Sequence, residues 1–225
     1  MAKALYLRHH PEDSPGLIAE AFESRGYELD VVLFDEHAST PSLDGVDVFV
    51  IGGSKCAVYD ESTQQAFLNR ELALIGESAE RSIPVLGICF GAQALCHYHG
   101  GTVRKTATPE VGWYDVTPVA GSAIVPGPWF EFHFDECVVP EEADVLAVTG
   151  STVQAFTVGK NFAVQFHPEV DANQLRDWMG AGGAEEAREF GLDVDELLAE
   201  SERLTPGARQ RAQDLVDIFL RHAGL

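Results

Sequence analysis

Cysteine is scarce in this chain: four in 225 residues, at positions 56, 89, 96 and 137, with no Cys-x-x-Cys spacing among them. That argues against a disulfide framework and predicts reduced thiols. No run approaches 18 uninterrupted apolar residues, so no membrane-spanning helix is predicted. Met1 to Leu7 enters a strand pattern directly, without the apolar region and cleavage site of a secretory signal, and the expectation is a cytoplasmic protein. Basic residues are few as well. Fifteen Lys and Arg stand against 36 Asp and Glu, a formal net charge of −21, and no Lys/Arg cluster occurs. Such a field makes nucleic acid and anionic membrane surfaces poor partners. From Asp171 onward there are 12 acidic and 6 basic residues, net −6, which leaves −15 over the first 170. The acidity is therefore a solvated surface rather than a tail, and it says little about a substrate. Internal repeats and low-complexity segments are also missing.

What is present is concentrated in two segments. Gly87-Ile88-Cys89-Phe90-Gly91-Ala92-Gln93 follows the apolar run Ile83 to Leu86 and precedes the helix-like stretch Ala94 to Tyr98. Glycines two residues either side of Cys89 permit a sharp strand-to-helix turn that pushes the side chain outward, a thiol version of the nucleophile elbow. The N-terminus of the following helix then faces the sulfur and favours the thiolate. The bland alternative is one more buried structural cysteine. Against it stands Ala163-Val164-Gln165-Phe166-His167-Pro168-Glu169, 78 residues beyond Cys89, where a strand ends in His-Pro-Glu. The proline keeps His167 extended, so the imidazole and the carboxylate two positions on can point to one side. Cys89, His167 and Glu169 thus supply a nucleophile, a base and its orienting group.

With these residues the chain resembles the class I, or triad, glutamine amidotransferases, over about residues 3 to 170. The likeness is strongest to the glutaminase domain of GMP synthase and its free-standing relatives. It implies that the N–H groups of Gly53, in Phe49-Val50-Ile51-Gly52-Gly53-Ser54, and of Phe90 form an oxyanion hole, and that Gln93 contacts the substrate. A helix-surface amide is the structural alternative for Gln93. Glu110-Val111-Gly112-Trp113 matches a segment that is structural in such domains. Phe132-His133-Phe134-Asp135 falls where relatives often read His-Gly-Asp. It implies that His133, Phe134 and Asp135 lie at the amino-acid end of the substrate, with Phe134 larger than the residue usual there. The implied activity is release of ammonia and glutamate from glutamine through a Cys89 thioester. Ammonia would pass to a separate synthetase or acceptor enzyme, since 225 residues leave no room for one. The resemblance implies no cofactor and no metal. Two other readings stand beside it: a free-standing γ-glutamyl hydrolase or peptidase acting on other γ-glutamyl amides, and a non-catalytic regulatory or scaffold subunit.

Strand and helix patterns alternate through the first hundred residues: Ala4 to Leu7, Leu17 to Ser24, Leu29 to Phe34, Val46 to Ile51, Ser62 to Gly76, Ile83 to Ile88 and Ala92 to His99. That order predicts an α/β fold, an open, mostly parallel sheet with helices on both faces and the nucleophile at the carboxyl end of a strand. Thr102 to Phe166 reads instead as antiparallel strands and hairpins added to the sheet. The division expected is an amidotransferase-like domain over 1–175 and a helical extension over 176–225. Gly180-Ala181-Gly182-Gly183-Ala184 reads as a flexible break. Asp193 with Glu196 forms a capping box for a helix to about Arg203, and Thr205-Pro206 reads as the start of another. These helices either cover the chain's own sheet or form a lid, a homo-oligomer contact or a docking surface for another enzyme. Cys96, His97 and His99 sit at helix spacings that do not converge on one ion. His9 and His10 read as loop residues, and Cys56 as a neighbour of the site.

Overall fold

The computed structural model describes residues 1–150 and 152–225. Nine strands form one sheet in the order β2-β1-β3-β4-β9-β8-β7-β5-β6. Its first half is parallel: β2 (Tyr27–Leu33), β1 (Ala2–Arg8), β3 (Val48–Ile51), β4 (Val85–Ile88) and β9 (Asn161–Val164). From β9 outward the pairing becomes antiparallel through β8 (Thr152–Val158), β7 (Asp144–Thr149), β5 (Thr102–Pro118) and β6 (Gly127–Val138). The expected parallel sheet with antiparallel additions is the observed one.

Period-two alternation sorts the central strands between two cores. Ala4 and Tyr6 of β1, Val48 and Val50 of β3, and Leu86 and Ile88 of β4 face α1 (Gly16–Glu23) and α7 (Val194–Ala223). Leu5, Leu7, Phe49, Ile51 and Val85 face α3 (Asn69–Glu80) and α4 (Phe90–Tyr98). Because both faces are covered, β3 and β4 are buried along their whole length and read as continuous apolar runs. Each buried large apolar side chain contributes about 1.5–3 kcal/mol. No helix among the described residues is long and apolar enough to cross a membrane.

Three local expectations are corrected. The helix predicted over 62–76 runs from Glu61 to Glu80: α2 (Glu61–Thr63), a π turn at Gln64–Leu68, then α3. The glycine-rich stretch after residue 179 is not a loose break. α5 (Ala172–Trp178) ends in a kinked, non-helical turn at Met179–Gly183, with Gly182 at φ +108°, from which α6 (Ala184–Glu189) starts. A Cβ at Gly183 would lie 2.9 Å from the Trp178 carbonyl oxygen, so the turn needs glycine for close approach. Finally, Thr205-Pro206 starts no new helix. α7 continues through Pro206 to Ala223, its N-terminus capped by Asp193, which accepts from the N–H groups of Asp195 and Glu196.

Continuity through the proline follows from packing on both sides of it. Leu197 sits in a cluster with Phe130 and Leu175, while Ala212, Leu215, Val216 and Phe219 pack on the sheet. Phe22 of α1 meets Phe219 edge to face, and Arg25 donates to Asp217 at 2.6 Å. Locally, the Thr205 hydroxyl donates to the Ser201 carbonyl at 2.7 Å and accepts from the Ala172 N–H. The helix thereby covers the chain's own sheet.

Candidate active site

Neighbouring parallel strands β1, β3, β4 and β9 deliver His9, Gly53, Cys89 and His167 just past their carboxyl ends, in that order across the sheet. Ligand sites of open α/β sheets lie at this edge. Cys89 is the N-cap of α4 and holds φ 51°, ψ −103°, a conformation rare for a side chain with a Cβ. Its N–H donates to Val164 at 2.8 Å and its carbonyl accepts from Gln93 at 3.1 Å, so the surrounding structure imposes the strained angles.

The flanking glycines have a different role from the one expected. Neither Gly87 nor Gly91 has positive φ; the turn's unusual angle falls on the cysteine itself. They are required by space. A Cβ at Gly87 would come 2.5 Å from the Gly91 carbonyl oxygen, and one at Gly91 would collide with the carbonyl of Ile51. The elbow packs backbone against backbone, which brings α4 down onto β3.

His167 Nδ1 and Glu169 Oε1 are 2.7 Å apart, both side chains buried. The main chain is fixed around them. His167 N–H donates to Phe130 at 2.7 Å, and the Glu169 carbonyl accepts from Leu17 at 3.0 Å. Trp178 meets the imidazole edge to face at 5.0 Å. Burial opposes the His167 charge, yet Glu169 and the Cys89 sulfur outweigh it and hold the imidazole well above its usual range. Its Nε2 is buried and has no hydrogen-bond partner among the described residues, leaving it for the sulfur or a substrate atom. Gly53 completes the group: a Cβ there would lie 3.1 Å from His167 Cε1 and 3.8 Å from Cys89 Cβ.

These residues open into a cavity of about 300 Å³, lined also by Asp13, Lys55, Cys56, Phe132, Phe134 and Glu186. Gln93, expected at the substrate, is buried rather than on the helix surface, and its amide donates to Gln165 Oε1 at 3.4 Å. Gln165 in turn donates to the Cys89 sulfur at 3.5 Å. That glutamine stands in the His-Pro-Glu segment, but no motif assigned it a role. The available signal was position: two residues before His167, it projects to the same side.

His133, Phe134 and Asp135 all line the cavity, but in different ways. Phe134 packs at a tilt against Phe190, ring centroids 5.2 Å apart, and Asp135 accepts from the Tyr59 hydroxyl at 2.8 Å. Both nitrogens of buried His133 are committed, Nδ1 to the Asp135 carbonyl at 2.9 Å and Nε2 to Glu110 at 3.0 Å. Glu131, to which the sequence pattern assigns no role, lies 3.3 Å from the same Nε2. Glu110, Glu131 and His133 bring three metal-ligand atoms within 4.8 Å of one another. An imidazolium held by two carboxylates accounts for that grouping, since the nitrogen facing them already carries a bonded proton.

Burial disfavours the His133 charge, but bonds to Glu110 and Glu131 win and push it up to about 10; burial pushes Glu131 up to about 7. Both groups hold protons more tightly folded than unfolded, so each contributes stability at low pH that is lost as pH rises through its folded value. The fold should therefore lose thermal stability steadily between about pH 4.5 and 10, Glu131 acting up to about pH 7 and His133 from about pH 6.5 upward, and His133→Gln should flatten the upper part of that decline. Melting curves across the range check this; a wild-type midpoint constant over the same interval refutes the buried imidazolium.

His9 lies in the bend after β1, as expected of a loop residue, but its side chain is buried, and the sequence missed its partners. Its Nδ1 donates to the Gly53 carbonyl at 2.8 Å and its Nε2 meets buried Glu71 at 2.7 Å. Signals for both were available. His9 directly follows the first strand, and Glu71 falls on the apolar stripe of its helix with Phe67, Leu68, Leu74 and Ile75.

Residues 15–179 match the family model "Glutamine amidotransferase class-I". A glutamine-hydrolyzing GMP synthase of Wolbachia pipientis wMel is 27% identical over 205 residues, 75% of this chain and 38% of that protein. The chain therefore spans little more than a third of that relative's length. A glutamine-hydrolyzing GMP synthase subunit of Sulfolobus acidocaldarius is 34% identical over 152 residues, 63% of this chain and 77% of that relative. Among solved structures, a glutamine amidotransferase from Thermotoga maritima superposes with a TM-score of 0.88 at 25% identity, covering 100% of this chain and 99% of that one.

Proposed function

We propose, from the premise that this chain belongs to the class-I glutamine amidotransferase family, that it hydrolyses the γ-amide of glutamine through a Cys89 thioester. The observation that carries this reading is the strained Cys89 at the head of α4, in one cavity with a buried His167–Glu169 pair 2.7 Å apart.

In this mechanism His167 takes the thiol proton and the sulfur attacks the γ-carbonyl carbon. The oxyanion is held by the N–H groups of Gly53 and Phe90, the latter an unpaired donor of the first turn of α4. As the C–N bond breaks, the imidazolium protonates the leaving nitrogen and ammonia departs. Water then attacks the thioester, giving its proton to His167; the C–S bond breaks, glutamate leaves and the thiol is restored. Glu169 fixes the tautomer of His167 and stabilises its cation. Gln165 holds the sulfur, and Gln93, which donates to Gln165, faces the substrate from the cavity lining. Phe134 and Asp135 bound the amino-acid end, with His133 behind them. None of these steps calls on a cofactor. A separate ammonia-accepting synthetase is the proposed partner, in keeping with the Sulfolobus relative being named as one part of a GMP synthase. The place of work is a soluble compartment, the cytoplasm.

A second reading, hydrolysis of larger γ-glutamyl amides, is favoured by the carboxylates of Glu12, Asp13 and Glu186 on the cavity lining, which suit a cationic leaving amine. Glutamate release from glutamine and from γ-glutamyl amides of diamines separates the two. A preference for glutamine supports the amidotransferase. A tenfold preference for the diamine conjugates supports the second reading, and no release from either, with Cys89 unlabelled by a glutamine-like chloroketone, refutes both.

A further inference from the structure

His9 and Glu71 form a second imidazole–carboxylate pair at the sheet edge, and the thiol chemistry above does not use it. We propose that His9, held by Glu71, is a positioning residue for the oxyanion site, fixing the Gly53 peptide from behind and the Phe90 ring from the side. This rests on the reading of Gly53 and Phe90 as oxyanion donors.

The geometry is specific. A carbonyl oxygen only accepts, so the 2.8 Å contact from Nδ1 to Gly53 makes that nitrogen a donor. Nε2 faces Glu71 Oε2 at 2.7 Å, and the ring therefore presents protons to both partners. Burial works against the imidazolium, but Glu71 raises the His9 pKa above its usual value. The ring is also clamped by aromatics. Phe67 lies 4.9 Å from it by centroids and Phe90 5.1 Å, edge on. Phe67 belongs to the π turn at Gln64–Leu68, an irregularity of a kind that often marks functional sites. One ring thus touches the residue proposed for each half of the hole.

The expense of the arrangement argues for a purpose beyond packing. Glu71 is fully buried on the apolar stripe of its helix, and its Oε1 has no hydrogen-bond partner among the described residues. An apolar pair would fill the same space without desolvating two charges. What an apolar pair cannot do is hold a carbonyl. Gly53 has no side chain to lock its backbone, and the Gly53–Ser54 peptide, which carries the bonded oxygen and adjoins the peptide bearing the Gly53 N–H, turns freely unless something outside it holds that oxygen; holding it fixes ψ of Gly53 and with it the setting of the neighbouring N–H. Oxyanion donors act only when they are preorganised.

The test uses the double variant His9→Phe/Glu71→Leu, which keeps the ring and leaves no orphaned charge, and the single variant His9→Asn, whose amide retains a donor toward Gly53. Amide hydrogen exchange at Gly53 and Ser54 should rise about tenfold or more in the double variant while the interiors of β1 and β4 stay protected. Turnover should fall about 10²-fold, carried by kcat with KM within about threefold, and His9→Asn should recover at least about a tenth of the wild-type rate. If the double variant does not fold, Glu71→Gln, which keeps the side-chain volume, gives the same readout at the same two amides. Unchanged exchange at Gly53 and Ser54 overturns the proposal, as does a rise spread equally over β1, β3 and β4. A wild-type protein that hydrolyses no γ-glutamyl amide would refute the function proposed above, while the exchange result would still decide the role of His9.

Discussion

Cys89→Ala and Cys89→Gly each lose γ-glutamyl hydrolysis by about 10⁴-fold or more, and the glycine variant is the more stable of the two. Loss of turnover follows because Cys89 is the thiol seated at the elbow beside His167, whereas Cys56, the other free thiol on the cavity lining, is exposed and lies off the elbow; transition-state binding that survives without the nucleophile leaves only residual rate. The stability order follows from the backbone. In an ordinary helix or strand, glycine is less stable than alanine by about 0.5–1 kcal/mol. Cys89 sits at φ 51°, ψ −103°, where a Cβ is strained, and such strain costs about 1–3 kcal/mol. Removing the Cβ relieves it, so the usual order inverts by roughly 1 kcal/mol. Urea unfolding of the two variants, with glutamate release as the activity readout, tests both parts. Alanine matching or exceeding glycine in stability would show that no strain is stored at the elbow.

Glu169→Gln should lower kcat by about 10⁴-fold while the fold persists. The amide is isosteric and neutral, so burial is preserved, but it can present its N–H₂ to Nδ1 and fix the wrong tautomer. His167 also loses its charged partner. Burial alone lowers the imidazole pKa, and Glu169 is the strongest influence raising it, so the variant's His167 gives up its proton at lower pH. The imidazolium is needed to protonate the leaving nitrogen. The alkaline limb of kcat/KM should accordingly move to lower pH, which a pH–rate profile of both proteins would show. A loss under tenfold, with the profile unmoved, would mean that Glu169 does not orient the base.

The two motifs were legible because each compresses its chemistry into a few consecutive residues. Cys89 with its glycines and His167-Pro-Glu169 require no knowledge of what lies between them. Gly53 and Phe90 were reached only through the family resemblance, which implies oxyanion donors at the glycine pair closing a strand and at the residue after the cysteine. Gln165, Glu131, His9 and Glu71 were not legible in the same way. Each is an ordinary polar residue whose role depends on a partner far away in sequence: Gln165 on Cys89, Glu131 on the His133–Glu110 pair, and His9 on Glu71, 62 residues away. Glu71 shows the limit well. Its place on an apolar helix face marks it as buried, but nothing local says that an imidazole waits there.

By itself, the sequence determined the α/β alternation, the candidate pairing of Cys89 with His167 and Glu169, and the carboxyl edge of the sheet as the place where they meet. Those depend on periodicity, glycine and proline chemistry, and short-range spacing, which act within about ten residues. Only the tertiary structure decided that the elbow glycines serve close approach rather than turning, and that α7 runs unbroken through Pro206. It also decided that the glycine-rich stretch after Met179 is a packed turn beside the cavity. In two of these cases the deciding contact is with an element distant in sequence, Ile51 above Gly91 and the sheet and α1 against α7; at Gly183 it is the Trp178 carbonyl five residues back. Local propensity is worth at most a few kcal/mol at such points, and burial against a distant neighbour outweighs it.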